Sequence, residues 1–143
     1  MVTPRDFQGV DAAWLATDAI GQVAIFTTGG EGPIPTTALV SADAAEELVL
    51  SLPETSSMDL LVTLSRPDGF VAFSKRGLFA YDWSDVHRTT RQGLGGYALQ
   101  SRPKAPLSLS DLPDPLRALA AATQIFGVMF GAAIVVPGNL VGT

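Results

Sequence analysis

The chain has 143 residues, enough for one domain with a real core, and its 47% apolar and 16% charged composition excludes a disordered polypeptide. It has no cysteine, which removes disulfides, thiolate nucleophiles and cysteine-based zinc sites and fits a reducing compartment. The net charge of −5 is uneven: residues 1–65 hold nine acids and one base, residues 66–117 five acids and eight bases, and residues 118–143 no charge at all.

Residues 1–11 read as a loose lead-in, without the basic start and long apolar run of a signal peptide. Ala13-Trp14-Leu15-Ala16-Thr17 has strand composition, and so has Gln22-Val23-Ala24-Ile25-Phe26-Thr27. Asp18-Ala19-Ile20-Gly21 between them has turn chemistry, so an antiparallel hairpin is expected. Gly29-Gly30-Glu31-Gly32-Pro33-Ile34-Pro35 can neither extend a strand nor start a helix early, and is a shaped loop. Ala42–Leu52 is the first helix candidate, with Ser41 or Asp43 as cap, Leu48, Val49 and Leu52 on one face and Pro53 as stop. Ser56-Ser57-Met58-Asp59 reads as a second helix entrance, with Leu60, Leu61 and Leu64 spaced for a short amphipathic helix.

Arg66-Pro67-Asp68-Gly69 is a turn, and a second hairpin is expected beyond it. Its strands are Phe70–Ser74 and Leu78–Trp83, closed by Lys75-Arg76-Gly77. Ser84–Gly96 reads as an exposed loop, Tyr97–Gln100 as a strand ending near Pro103, and Pro106–Leu109 as another short strand. Ser110-Asp111-Leu112-Pro113 is a helix entrance, followed by a helix over Leu116–Ala122 and a last strand over Val128–Val136. The uncharged stretch Ala118–Val136 is long enough to span a bilayer. Gly127, Gly131, Thr123 and Gln124 lower its hydrophobicity, Pro115 and Pro137 bracket it, and no basic or aromatic belt follows. A helix running into a buried strand is the expected reading, with no membrane partner. The whole pattern predicts a single α+β domain over residues 1–143: a mainly antiparallel sheet built from hairpins, with two or three helices packed on it.

Four groups of residues are candidates for chemistry or binding. The glycine loop lacks both the Gly-Lys-Ser/Thr ending of a phosphate loop and the G-x-G-x-x-G spacing, and Glu31 places negative charge where a phosphate would sit. It reads as a tight connection, with a partner-facing role as the functional alternative. The segment Tyr81–Arg88 holds the only histidine, His87, with Asp82, Asp85 and Arg88. These types suit acid–base work or an oxygen-rich magnesium site, but a zinc site would need more histidines. Local pairing of Asp85 with Arg88, with His87 on a loop carbonyl, is the simpler expectation; no metal or other cofactor is predicted. Arg88, Arg91, Arg102 and Lys104 form a basic stretch around Tyr97, thin for single-stranded nucleic acid and read as a solvated face. An acidic balance also argues against non-specific nucleic-acid binding, so no such partner is expected. Asp43, Glu46 and Glu47, at i, i+3, i+4 spacing, can share one helix face and attract a basic protein.

Two stretches resemble a group of short uncharacterised bacterial proteins, some of them suspected immunity proteins of toxin systems. One runs Trp14-Leu15-Ala16-Thr17-Asp18 and Gly21 to Pro35; the other is Gly77-Leu78-Phe79-Ala80-Tyr81-Asp82-Trp83-Ser84-Asp85-Val86-His87-Arg88. The resemblance implies a bacterial, cytoplasmic protein and carries no catalytic residues. The reading that follows is a non-enzymatic binding module, an immunity-like inhibitor presenting Glu31, Asp43, Glu46 and Glu47 to a basic partner. One alternative is a small-molecule or metal-assisted enzyme built on Asp82–Arg88. Another is a homo-oligomer, such as a homodimer, whose uncharged C-terminal strand pairs across a two-fold axis.

Overall fold

Strand β1 (Ala13–Thr17) and strand β2 (Val23–Thr27) form the expected antiparallel hairpin, with Trp14 opposite Phe26 and Ala16 opposite Ala24. The computed structural model describes residues 11–42, 44–61, 68–84, 96–137 and 141. Within them the remaining strands are β3 (Met58–Leu60), β4 (Phe79–Ser84), β5 (Gly96–Pro103) and β6 (Val135–Pro137). The helices are α1 (Leu39–Ala42), α2 (Ala45–Leu50), α3 (Asp68–Lys75) and α4 (Leu116–Ala121). The strands form one mixed sheet of order β1-β2-β4-β5-β3, with β6 also on β5. Every pairing is antiparallel except β2 with β4. The chain is therefore α+β with a mainly antiparallel sheet.

The hairpin expected over Phe70–Trp83 does not form. Phe70–Ser74 lies inside α3, and only the second half of that segment becomes a strand, β4. A short apolar run such as Phe-Val-Ala-Phe fits either state by composition. Asp68 at the positive end of the helix, Lys75 at the negative end, and Gly77 beyond it suit a helix weakly, and packing of Phe73 on the sheet settles the matter. Gly77 has φ +97, and a Cβ there would run into the Leu107 side chain. With Phe70–Ser74 helical, β4 is free to follow β2 in the parallel sense, across the long crossover such pairing needs. The Ser74 and Ser101 hydroxyls, 2.7 Å apart and buried, tie α3 to β5.

Three further expectations change. Ser56–Leu61 contains a strand, not a helix: Asp59 stands opposite Arg102 in the β3–β5 register, and such cross-strand charge pairs favour the sheet. The helix expected over Ala42–Leu52 is two short helices broken at Ala44, whose φ of −136 is not helical. Ser41 does not cap it: its hydroxyl donates to the Ala38 carbonyl (2.9 Å) and accepts from Leu15 N–H (3.1 Å). Pro106–Leu109 makes only a bridge from Ser108 to Gln22 before a 3-10 turn at Leu109–Asp111, and the last strand shrinks to Val135–Pro137. No helix among the described residues is long and apolar enough to cross a membrane.

Alternation along the strands produces two cores. One face carries Leu15, Val23, Ile25 and Ala80, covered by Val49 of α2, Phe73 of α3 and Leu116 and Ala120 of α4. The other carries Trp14, Phe26, Phe79, Tyr81 and Tyr97, covered by Leu39 of α1, Val136 of β6, and Ile34, Ile125 and Phe130 from irregular segments. Its rings interlock, with Trp14 stacked on Phe26 at 4.3 Å, Phe26 stacked on Tyr81 at 5.1 Å, and Tyr97 edge-on to both Trp14 and Phe26. Each such ring removed from water contributes roughly 1.5–3 kcal/mol by area, with about 0.5–1.5 kcal/mol more from favourable ring geometry.

Candidate functional site

The parallel β2–β4 pair is the feature that organises the candidate site. Thr27 at the end of β2 stands beside Asp82 near the end of β4, with the Thr27 hydroxyl 2.5 Å from the Asp82 carboxylate. Two stretches distant in sequence, the glycine loop and the start of the Asp82–Arg88 segment, thus emerge from the same end of the sheet. Ligands of open α/β sheets bind at the carboxyl ends of parallel strands, so this end is the natural place to look for chemistry.

The backbone donors of Gly29 through Gly32 are all engaged within the fold rather than offered to a phosphate. Gly29 N–H donates to the Asp11 carboxylate (3.0 Å) and Gly30 N–H to the Thr28 hydroxyl (3.2 Å). Glu31 and Gly32 N–H both donate to the Thr28 carbonyl, at 3.1 and 2.9 Å. The loop is the tight connection expected, and it also seals the aromatic core. Tyr97 donates its phenol proton to the Pro33 carbonyl (2.9 Å) and accepts from the Trp14 indole N–H (3.2 Å). Gly32 lies against that phenol so closely that a Cβ would collide with the Tyr97 ring and touch Trp83 Cβ. Burial raises the Tyr97 phenol well above its ordinary pKa, the neighbouring Asp82 and Asp11 adding to the effect and the Trp14 N–H opposing it. Tyr97 is fully buried, so it offers no ring face on which a nucleic-acid base could stack.

Of the Asp82–Arg88 segment, Asp82 is half-buried and engaged with Thr27, and Trp83 is half-buried with its ring 5.1 Å from Tyr97. Asp85, His87 and Arg88 lie outside the described residues, as does Asp43. No group of three or more metal-ligating side chains occurs among the described residues. Glu31 is exposed in the loop at the end of β2, while Glu46 and Glu47 are exposed on α2, which packs on the other face of the sheet. The fold therefore does not gather the three glutamates into one site. Glu46, Glu47 and the 41%-exposed Leu50 do share α2 at helical spacing.

The densest polar centre was invisible in the sequence. Asp18 is only 4% exposed, yet its carboxylate accepts from Ile20 N–H (3.1 Å), Gln22 N–H (2.9 Å), the Gln22 side-chain amide (2.8 Å) and Phe130 N–H (2.8 Å). The Gln22 amide also donates to the Phe130 carbonyl (3.1 Å). The two bonds within the turn follow from an Asp at its first position; the partner 112 residues away has no local signal. Nearby, the Tyr81 phenol donates to the Ala133 carbonyl (2.8 Å) and accepts from Gly131 N–H (3.2 Å). Asp18 and Tyr81 together pin the irregular segment 129–133 over the aromatic face, a structural task that consumes both side chains.

No family model, no curated protein and no solved structure matches this chain.

Proposed function

We propose that the chain is a non-enzymatic protein-binding module, of the kind an immunity-like inhibitor provides, and that its partner is a protein with a basic surface. The observation that carries this reading is the state of the acids on α2. Glu46 and Glu47 are exposed and form no ion pair among the described residues. Among the described residues most cations, by contrast, are paired: Arg76 lies 3.5 Å from Glu54, Arg102 and Lys104 lie 3.5 and 3.7 Å from Asp59, and Arg117 lies 3.7 Å from Asp114. Such surface pairs add little stability, but each offsets a described cation, while Glu46, Glu47 and Glu31 keep their negative charge turned to solvent. Leu50 beside the two glutamates supplies the apolar contact an interface needs at its centre. Among the described residues, Thr27 and Asp82 at the sheet end and Asp18 in the turn are bonded within the fold, which favours binding over chemistry.

The test is affinity capture from the source cell with the wild-type chain and with a variant carrying Glu46→Lys and Glu47→Lys. A basic protein retained at low salt, released at high salt and lost with the variant is the expected result. Capture that charge reversal leaves unchanged, or no partner at either salt, would refute the reading.

A further inference from the structure

The two edges of the sheet are treated differently. Along β1 three outward backbone groups are occupied: Leu15 N–H by the Ser41 hydroxyl, Thr17 N–H by the Thr123 carbonyl (2.9 Å), and the Thr17 carbonyl by Ile125 N–H (2.9 Å). The far edge, on β5, is built from two pieces laid end to end. Met58, Asp59 and Leu60 stand opposite Pro103, Arg102 and Ser101; Val135, Val136 and Pro137 stand opposite Ala98, Tyr97 and Gly96. The gap is bridged where Leu61 N–H donates to the Gln100 carbonyl (2.9 Å) and Leu99 N–H donates to the Ile134 carbonyl (2.8 Å). Both pieces run antiparallel to β5. They therefore act as one composite strand, reading Met58-Asp59-Leu60-Leu61 and then Ile134-Val135-Val136-Pro137.

The four central positions of this strand are apolar and exposed: Leu60 by 40%, Leu61 by 42%, Ile134 by 61% and Val135 by 41%. With Leu61 and Ile134 bonded to β5, alternation turns the backbone groups of Leu60 and Val135 away from it. Among the described residues no further strand pairs with this edge, and an edge with a run of exposed apolar side chains is a template for pairing, which monomeric folds normally blunt.

We propose that this edge is covered by a second copy of the chain, paired antiparallel across a two-fold axis at the Leu61–Ile134 seam. The arrangement of the edge favours this occupant. Two exposed apolar residues lie on each side of the seam, so a two-fold axis lays Leu61 and Leu60 of one copy against Ile134 and Val135 of the other; the patch is complementary to itself. The strip also avoids the repulsion expected between chains of net charge −5. Its one charged residue, Asp59, is flanked by Arg102 and Lys104. Antiparallel pairing sends these charged groups to opposite ends of the interface, about 15 Å apart at strand rise, beyond the screening length of about 8 Å. Pro137 has no N–H and stops the ladder at its end. The ladder is therefore short, and side-chain burial at the four central positions holds the copies together.

Sedimentation equilibrium of the full chain from micromolar to submillimolar concentration tests this. The expected result is a monomer–dimer equilibrium that Leu60→Lys or Ile134→Lys weakens by about tenfold or more, with thermal unfolding of the monomer unchanged. Glu46→Lys, on a different surface, should leave it intact, which separates this proposal from the binding function above. Should the lysine variants fail to fold, amide exchange on the wild-type chain decides: Leu60 and Val135 amides should gain protection as concentration rises. A monomer throughout, open-ended larger assemblies, or a dimer indifferent to both lysines with those amides unprotected would overturn the proposal.

Discussion

Replacing Asp18 by alanine should melt the chain at a temperature about 10 °C lower. The carboxylate holds four donors, and their fates differ once it is gone. The amide of Phe130 is buried and bonded to this carboxylate, so its loss leaves an orphaned donor at a cost of about 1–3 kcal/mol. Ile20 is exposed and Gln22 half-buried, so water replaces much of what they lose; their share is about 1 kcal/mol together. The total of about 3 kcal/mol converts to about 10 °C for a domain of this size. Asp18→Asn preserves the shape and one acceptor oxygen but turns an amide N–H₂ toward either the turn donors or the Gln22–Phe130 pair, so it should fall between wild type and alanine. Calorimetry gives the temperatures, and hydrogen exchange at Phe130 reports whether the segment 129–133 loosens first. An alanine variant that melts within about 2 °C of wild type, with the Phe130 amide still protected, would show that the carboxylate is not what holds the segment.

Gly32→Ala should destabilise by about 1–3 kcal/mol through overpacking against the Tyr97 phenol. Tyr97→Phe in the same chain should recover part of that loss, giving a non-additive cycle in urea unfolding, whereas strictly additive effects would contradict the contact. Alkaline pH should unfold the chain. Burial, aided by the negative charge of Asp18 and opposed by the Gly131 N–H, pushes the Tyr81 phenol up from 10.0 to about 12. The unfolded chain therefore loses this proton first, and the stabilisation, complete below pH 10, falls away as pH rises toward about 12, by about 1.4 kcal/mol per unit for each such tyrosine. Tyr97 adds to the same slope. Urea midpoints that stay flat across this range, or tyrosinate absorbance appearing at pH 10 while the chain remains folded, would refute the assignment.

Sequence alone determined the features whose cause is local. The β1–β2 hairpin follows from two β-rich runs around Asp18–Gly21, the start of α4 from Pro115 and its neighbours, and the tightness of the glycine loop from its own composition. The placement of Val49 against the core with Leu48 and Leu52 beside it follows from their spacing. Tertiary structure decided whatever depended on a distant partner. Phe70–Ser74 and Ser56–Leu61 are short segments with little preference of their own. One became a helix because the crossover from β2 to β4 packs it on the sheet; the other became a strand because β5 offered it an edge and Arg102 a countercharge. The same reasoning applies to function. Glu46 and Glu47 were legible as a helical pair, but that Glu31 stands apart from them, that Tyr97 is sealed in the core, and that Leu60 and Val135 line one edge are consequences of pairings across tens of residues. Local preferences of a fraction of a kcal/mol cannot resist burial terms several times larger, so segments with weak local signals take the form their neighbours in space impose.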